Sequence, residues 1–97
     1  MPAFRLTGKA VDDLRSIARY TQEHWGRKQR NNYLSKLDES FYTLAQEPHR
    51  GRACDHIRPG YRKYHVGQHQ IFYRQRENNI EIIRILHDRM DVESHLS

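Results

Sequence analysis

The sequence predicts an α+β fold: a short N-terminal strand, an antiparallel helix hairpin, then a three-stranded antiparallel meander closed by a short C-terminal turn. Three observations carry the prediction. Apolar residues recur at helical spacing over two successive segments separated only by Gly26. Beyond Pro48 the pattern changes to short β-rich runs punctuated by Gly67-Gln68 and by Glu77-Asn78-Asn79. The closing run around Ile80, Ile82, Ile83 and Ile85 is β-branched and too short for a helix. Helices and strands thus segregate along the chain, which favours helices packed on one face of an antiparallel sheet.

The elements follow in order. Residues 3–7 alternate and read as a strand with Phe4 and Leu6 on one face. Thr7 is placed to cap the first helix, with Asp12 and Asp13 near its positive end. That helix is expected to run to about Trp25. Ala10, Leu14, Ile17, Ala18, Thr21 and Trp25 form its apolar side, and Asp13, Arg15, Arg19 and Glu23 its wet side. Trp25 reads as hairpin packing. Gly26 ends the helix, and a second one takes 27–46 with Tyr33, Leu34, Leu37, Phe41, Leu44 and Ala45 inward. Residues 49–59 read as loop. Tyr61–Val66 and His69–Gln75 read as a hairpin around Gly67-Gln68, and the isoleucine run as a strand buried on both faces. The tail from Asp91 to Leu96 is expected to make one helical turn that tucks Leu96 onto the core.

Bulk properties narrow the function. A chain of 97 residues suits a single domain, 1–97, with a thin core, since hydrophobic residues make up only 36%. Mean hydropathy is −1.04 and the isoelectric point is near 9.7. The formal charge is +5, with 13 Arg against 4 Lys. That bias favours an acidic or polyanionic partner gripped by bidentate contacts. One cysteine, Cys54, excludes an internal disulfide and fits a reducing compartment. No apolar run approaches membrane length and the start lacks a signal-peptide pattern, so the expected location is cytoplasmic.

The charge is concentrated. Residues 50–76 hold Arg50, Arg52, Arg58, Arg62, Lys63, Arg74 and Arg76 against Asp55 alone, interleaved with Tyr61, Tyr64, Phe72 and Tyr73. Basic residues among aromatics can hold a polyanion, or they can be a merely solvated face. Arg84 stands inside the apolar strand, where a cation needs solvent or a partner. Asp88, Asp91 and Glu81 are the candidate partners. His87 reads either as a structural histidine or as an acid–base group. Cys54, His56, His65 and His69 resemble zinc ligands in type, but the last pair straddles a turn; no metal or other cofactor is expected.

In its segments the chain resembles the ParE branch of the RelE/ParE toxin superfamily. The resemblance rests on Leu6-Thr7 with Ala10, Asp13-Leu14 and Ile17, and on Tyr20-Thr21 with Trp25-Gly26. It continues through Leu44-Ala45, Pro48, Gly51-Arg52, Ile57-Arg58, Gly60-Tyr61-Arg62, His69 and Ile71-Phe72-Tyr73-Arg74. Its most specific part is the closing Arg84-Ile85-Leu86-His87, Arg89-Met90-Asp91 and His95-Leu96. The resemblance implies a RelE/ParE-like fold and the toxin of a type II toxin–antitoxin module. Such a toxin inhibits DNA gyrase by binding and is neutralised by a ParD-like antitoxin in a hetero-oligomeric complex. It implies no enzyme, no membrane partner and no sequence-specific nucleic-acid binding.

From charge pattern and strand position, Arg58, Arg62, Lys63, Arg74, Arg84, His87 and Arg89 are the expected target-binding residues. Phe4, Val11, Tyr20 and Tyr42 are the expected antitoxin contacts. RelE-type relatives, which cleave messenger RNA on the ribosome, supply the alternative. His87 would then act as acid or base beside Arg62, Lys63, Arg74 and Arg84. The chain departs from them in lacking a lysine-rich surface and a tyrosine after the last strand.

Overall fold

Local signals set most element boundaries in the computed structural model, which describes residues 3–96. The chain runs β1 (Ala3–Leu6), α1 (Gly8–Trp25), α2 (Arg27–Gln46), β2 (Arg52–Ala53), β3 (Tyr61–Val66), β4 (His69–Gln75), β5 (Asn79–His87) and α3 (Val92–Leu96). Thr7 caps α1: its Oγ1 accepts from the Ala10 amide at 3.1 Å and donates to the Ile83 carbonyl at 2.8 Å. One side chain thereby starts the helix and ties it to β5. Gly26 joins the helices at φ 90°, a left-handed conformation that disfavours any side chain.

The predicted meander is present as β3, β4 and β5, but it is only the middle of the sheet. Five strands lie in the order β1-β5-β4-β3-β2, and the sheet is mixed. β1 pairs with β5 in parallel, Phe4 opposite Ile80 and Leu6 opposite Ile82, while the helix hairpin carries the chain from β1 at one edge of the sheet to β2 at the other. β2 forms inside the segment read as loop, pairing Arg52 with Lys63 and Ala53 with Arg62. Two polar-flanked residues carry no periodicity, so only the neighbouring strand reveals them.

A bulge explains why the closing strand fails to alternate. Phe72 opposes Arg84 whereas Tyr73 opposes Ile82, which leaves Ile83 as the extra residue. Ile80, Ile82 and Ile85 therefore all join the main core with Ala10, Ile17, Leu37, Phe41, Leu44, Ile71 and Tyr73. Leu86 turns to the other face, where Cys54, Phe72 and Leu96 form a second cluster under α3. The strand is buried on both faces, and Leu96 is tucked in at 6% exposure.

Two expectations for α1 are corrected. Trp25 is 71% exposed, because the buried stripe of α1 ends at Thr21. Asp13 is not on the wet side: its side chain is only 14% exposed. The reason lies at the functional surface.

Candidate functional site

β1 pairs with β5 only as far as Ile82, so the next part of that strand edge needs another partner. The start of α1 supplies it. The Thr7 amide and hydroxyl reach the Ile82 and Ile83 carbonyls, and Asp13 Oδ2 accepts the Ile85 amide at 2.9 Å. The same carboxylate receives Arg84 in bidentate fashion, Nε at 2.8 Å and Nη2 at 2.9 Å. Arg84 Nη1 donates to the His95 carbonyl at 3.1 Å. The guanidinium is thus satisfied although its side chain is 15% exposed, and the Asp13 contact raises its pKa.

This corrects the expected partners of Arg84. Glu81 instead pairs with Arg74 at 2.9 Å, and Asp88 with His65 at 3.0 Å. Asp91 accepts from Ser94 Oγ at 2.6 Å, a hydrogen bond that holds its carboxyl below the usual carboxylate range. Sequence reasoning missed Asp13, yet a signal was available. It lies three residues after Ala10 and four before Ile17, on the stripe that turns inward.

The seven expected target-binding residues divide over both faces of the sheet. Lys63 opposes Phe72, and Arg74 opposes Tyr61, on the face that carries α3. Arg58 lies beside them, its Nε donating to the Leu96 carbonyl at 3.0 Å, so Arg58 and Arg84 together pin the end of α3. Arg62 turns to the helix side and donates to the Gly51 carbonyl at 2.7 Å. His87 also lies on that side, its ring 5.3 Å from His69 in an edge-on contact. Arg89 follows β5 in an exposed turn, where its amide donates to His87 Nδ1 at 3.1 Å. Lys63, Arg74, Arg58 and Arg84 come together; Arg62 and His87 do not join them.

His69 is the centre of a separate polar cluster. Tyr33 Oη lies 2.7 Å from its Nδ1, accepts the Gln68 amide at 3.2 Å and donates to the Val66 carbonyl at 3.1 Å. Burial, followed by the neighbouring His87, lowers the His69 pKa to about 4. Burial pushes the Cys54 thiol up. Among the described residues no three His, Cys, Asp or Glu side chains lie together as a metal-binding group.

The expected antitoxin contacts are also dispersed. Phe4 meets Tyr42 edge-on at 4.9 Å and Phe41 at 5.3 Å, and Tyr42 stays 53% exposed. Val11 is half-buried, and Tyr20 stacks on His24 near the far end of α1. A shallow open groove runs between the helices, lined by Leu14, Arg15, Ala18, Leu34, Asp38 and Phe41. None of the four expected residues lines it. Among the described residues no helix is long and apolar enough to cross a membrane.

Comparison with known proteins adds the family. The family model for the ParE toxin of type II toxin–antitoxin system, parDE, matches residues 4–92. Toxin ParE1 of Mycobacterium tuberculosis (strain H37Rv) is 43% identical over 94 residues, 96% of each chain. Toxin ParE1 of Caulobacter vibrioides is 35% identical over 96 residues, 99% of each chain. Toxin ParE of Escherichia coli is 33% identical over 98 residues, covering all of this chain and 95% of its own. A solved structure described as the chromosomal ParDE TA system from P. aeruginosa superposes with a TM-score of 0.76. It covers 90% of this chain and 96% of its own at 22% identity, and so bears on the fold alone.

Proposed function

Because the chain belongs to the ParE toxin family of type II toxin–antitoxin systems, we infer that it inhibits DNA gyrase by binding, without turnover of its own. The observation that carries this reading is the family match over residues 4–92, nearly the whole described chain. The geometry supports binding over catalysis. Arg84, one of the charge stabilisers that RNA cleavage would need, is spent on Asp13 and on the end of α3. His87 uses Nδ1 to accept the Arg89 amide.

Within the expected target surface the residues take different tasks. Lys63, Arg74 and Arg89, with the outer edge of Arg58, are the contact groups. Arg62, Arg84 and His87 hold the frame that presents them. A ParD-like antitoxin neutralises the toxin by covering the helix hairpin, using the Phe4–Tyr42 edge together with Val11 and Tyr20.

The test is a supercoiling assay with purified gyrase, this protein, and a ParD-like antitoxin added or withheld. Antitoxin-reversible loss of supercoiling with trapped cleaved DNA supports the reading. Normal gyrase activity in the presence of folded protein that is toxic in cells rejects it. Cut transcripts and halted translation in the same cells would assign the toxin to the ribosome instead.

A further inference from the structure

At the tip of the helix hairpin, residues 19–30, Tyr20 alone is an expected antitoxin contact, and none of the expected target-binding residues lies there. The buried stripe of α1 comes from Ala10, Ile17 and Thr21, and its next stations, His24 and Trp25, lie beyond the reach of the core. Residues 22–29 are all exposed. Trp25 stands at 71% and Tyr20 at 59%, and the Tyr20 and His24 rings stack with centroids 3.9 Å apart. Three aromatic rings therefore share one end of the molecule with water around them.

The charge there is one-sided. From Arg19 to Arg30 the cations are Arg19, Arg27, Lys28 and Arg30, against Glu23 alone. Among the described residues none of these four cations is in an ion pair. Arg30 donates to Gln22 Oε1 and to Asn31 Oδ1, neutral acceptors that leave its charge uncompensated. The first turn of α2 has no acid, so its cations repel each other and add to the positive end of the helix. Glu23 is the one acid in this segment, so the tip keeps a net positive charge that suits an anion from outside.

The rings decide which anion. Between Arg19 and Arg30 there is no Ala, Val, Ile, Leu, Met or Phe. The tip thus offers ring faces set between cations, with no aliphatic side chain among them. Flat faces between cations match phosphates alternating with stackable bases. We propose that this hairpin tip binds single-stranded nucleic acid without sequence preference, Tyr20, His24 and Trp25 stacking on bases while Arg19, Arg27, Lys28 and Arg30 take the phosphates. The proposal is independent of the gyrase reading.

Trp25 is the only tryptophan, so its fluorescence reports on this surface directly. The experiment titrates the purified full chain with an oligothymidylate of about 20 nucleotides in about 50 mM salt. Quenching of Trp25 is expected, with log K falling against log salt at a slope of about −3 for four phosphate contacts. With a labelled oligonucleotide read by anisotropy, Arg27→Glu/Lys28→Glu weakens binding by roughly tenfold or more and flattens that slope. Trp25→Ala weakens it by roughly fivefold or more at an unchanged slope. Circular dichroism checks that both variants, altered only at exposed positions, stay folded. Absence of quenching overturns the proposal, and so does binding that both variants retain, which would place the nucleic acid on residues 50–76. A stronger fluorescence response to phosphatidylglycerol vesicles than to the oligonucleotide also overturns it, in favour of a membrane surface.

Discussion

Asp13 and Arg84, 71 positions apart in sequence, share two hydrogen bonds of 2.8 and 2.9 Å, and Asp13 also accepts the Ile85 amide. One carboxylate thereby does three things. It closes the edge of β5 that β1 leaves open, it neutralises a cation inside the sheet, and it locks α1 to the last strand. The arginine passes the constraint on, since its third nitrogen holds the His95 carbonyl in α3.

Asp13→Ala leaves a largely buried guanidinium and a strand amide without their acceptor. The expected loss of stability is about 3 kcal/mol. Chemical denaturation of purified protein measures it. A loss under about 1 kcal/mol would mean that water replaces the carboxylate at little cost.

Arg84→Ala and Arg89→Ala should separate folding from action. Arg84→Ala loosens α3 and lowers stability by about 2 kcal/mol, and any loss of toxicity follows from that. Arg89, exposed and in no ion pair among the described residues, should change stability by less than about 0.5 kcal/mol. Arg89→Ala combined with Lys63→Ala is expected to reduce gyrase inhibition while the unfolding midpoint holds. Undiminished inhibition by that pair would remove both residues from the target surface.

His69 makes the fold acid-sensitive. Its pKa falls from 6.5 to about 4 on folding, so the unfolded chain binds the proton more tightly. Its neutral form is therefore no burden above pH 6.5, and stability declines as pH drops from 6.5 toward 4. Part of the ring remains near solvent, so the loss from this group is put at about 2 kcal/mol, below the full value of the shift. Urea midpoints between pH 7.5 and 4 should show the decline, and His69→Gln should flatten it. An equal slope in the variant would assign the acid sensitivity to other groups.

Gly51 is a packing requirement. It is buried, its amide donates to Tyr73 Oη at 2.9 Å, and Tyr73 Oη donates in turn to the Pro48 carbonyl at 2.7 Å. A Cβ there collides with the tyrosine hydroxyl and crowds the Lys63 carbonyl. Gly51→Ala is expected to cost about 2 kcal/mol and to free β2 from the sheet edge, seen as faster amide exchange at Lys63, which faces β2. Unchanged exchange would show that Tyr73 can move aside.

Local pattern alone made the helix pair, its single-glycine hinge, the β3–β4 hairpin and the tail turn legible, because each depends on periodicity or on a nearby turn residue. The family was legible too, since the ordered segments from Leu6 to Leu96 carry it. Tertiary structure alone decided the parallel pairing of β1 with β5, the two-residue β2, the bulge at Ile83 and the choice of Asp13 for Arg84. Each of these joins residues far apart in the chain, where sequence shows a need for a partner but not which partner lies within reach. The division of the basic residues between two faces has the same cause. A strand alternates sides with every residue, and one extra residue at a bulge reverses every side chain that follows.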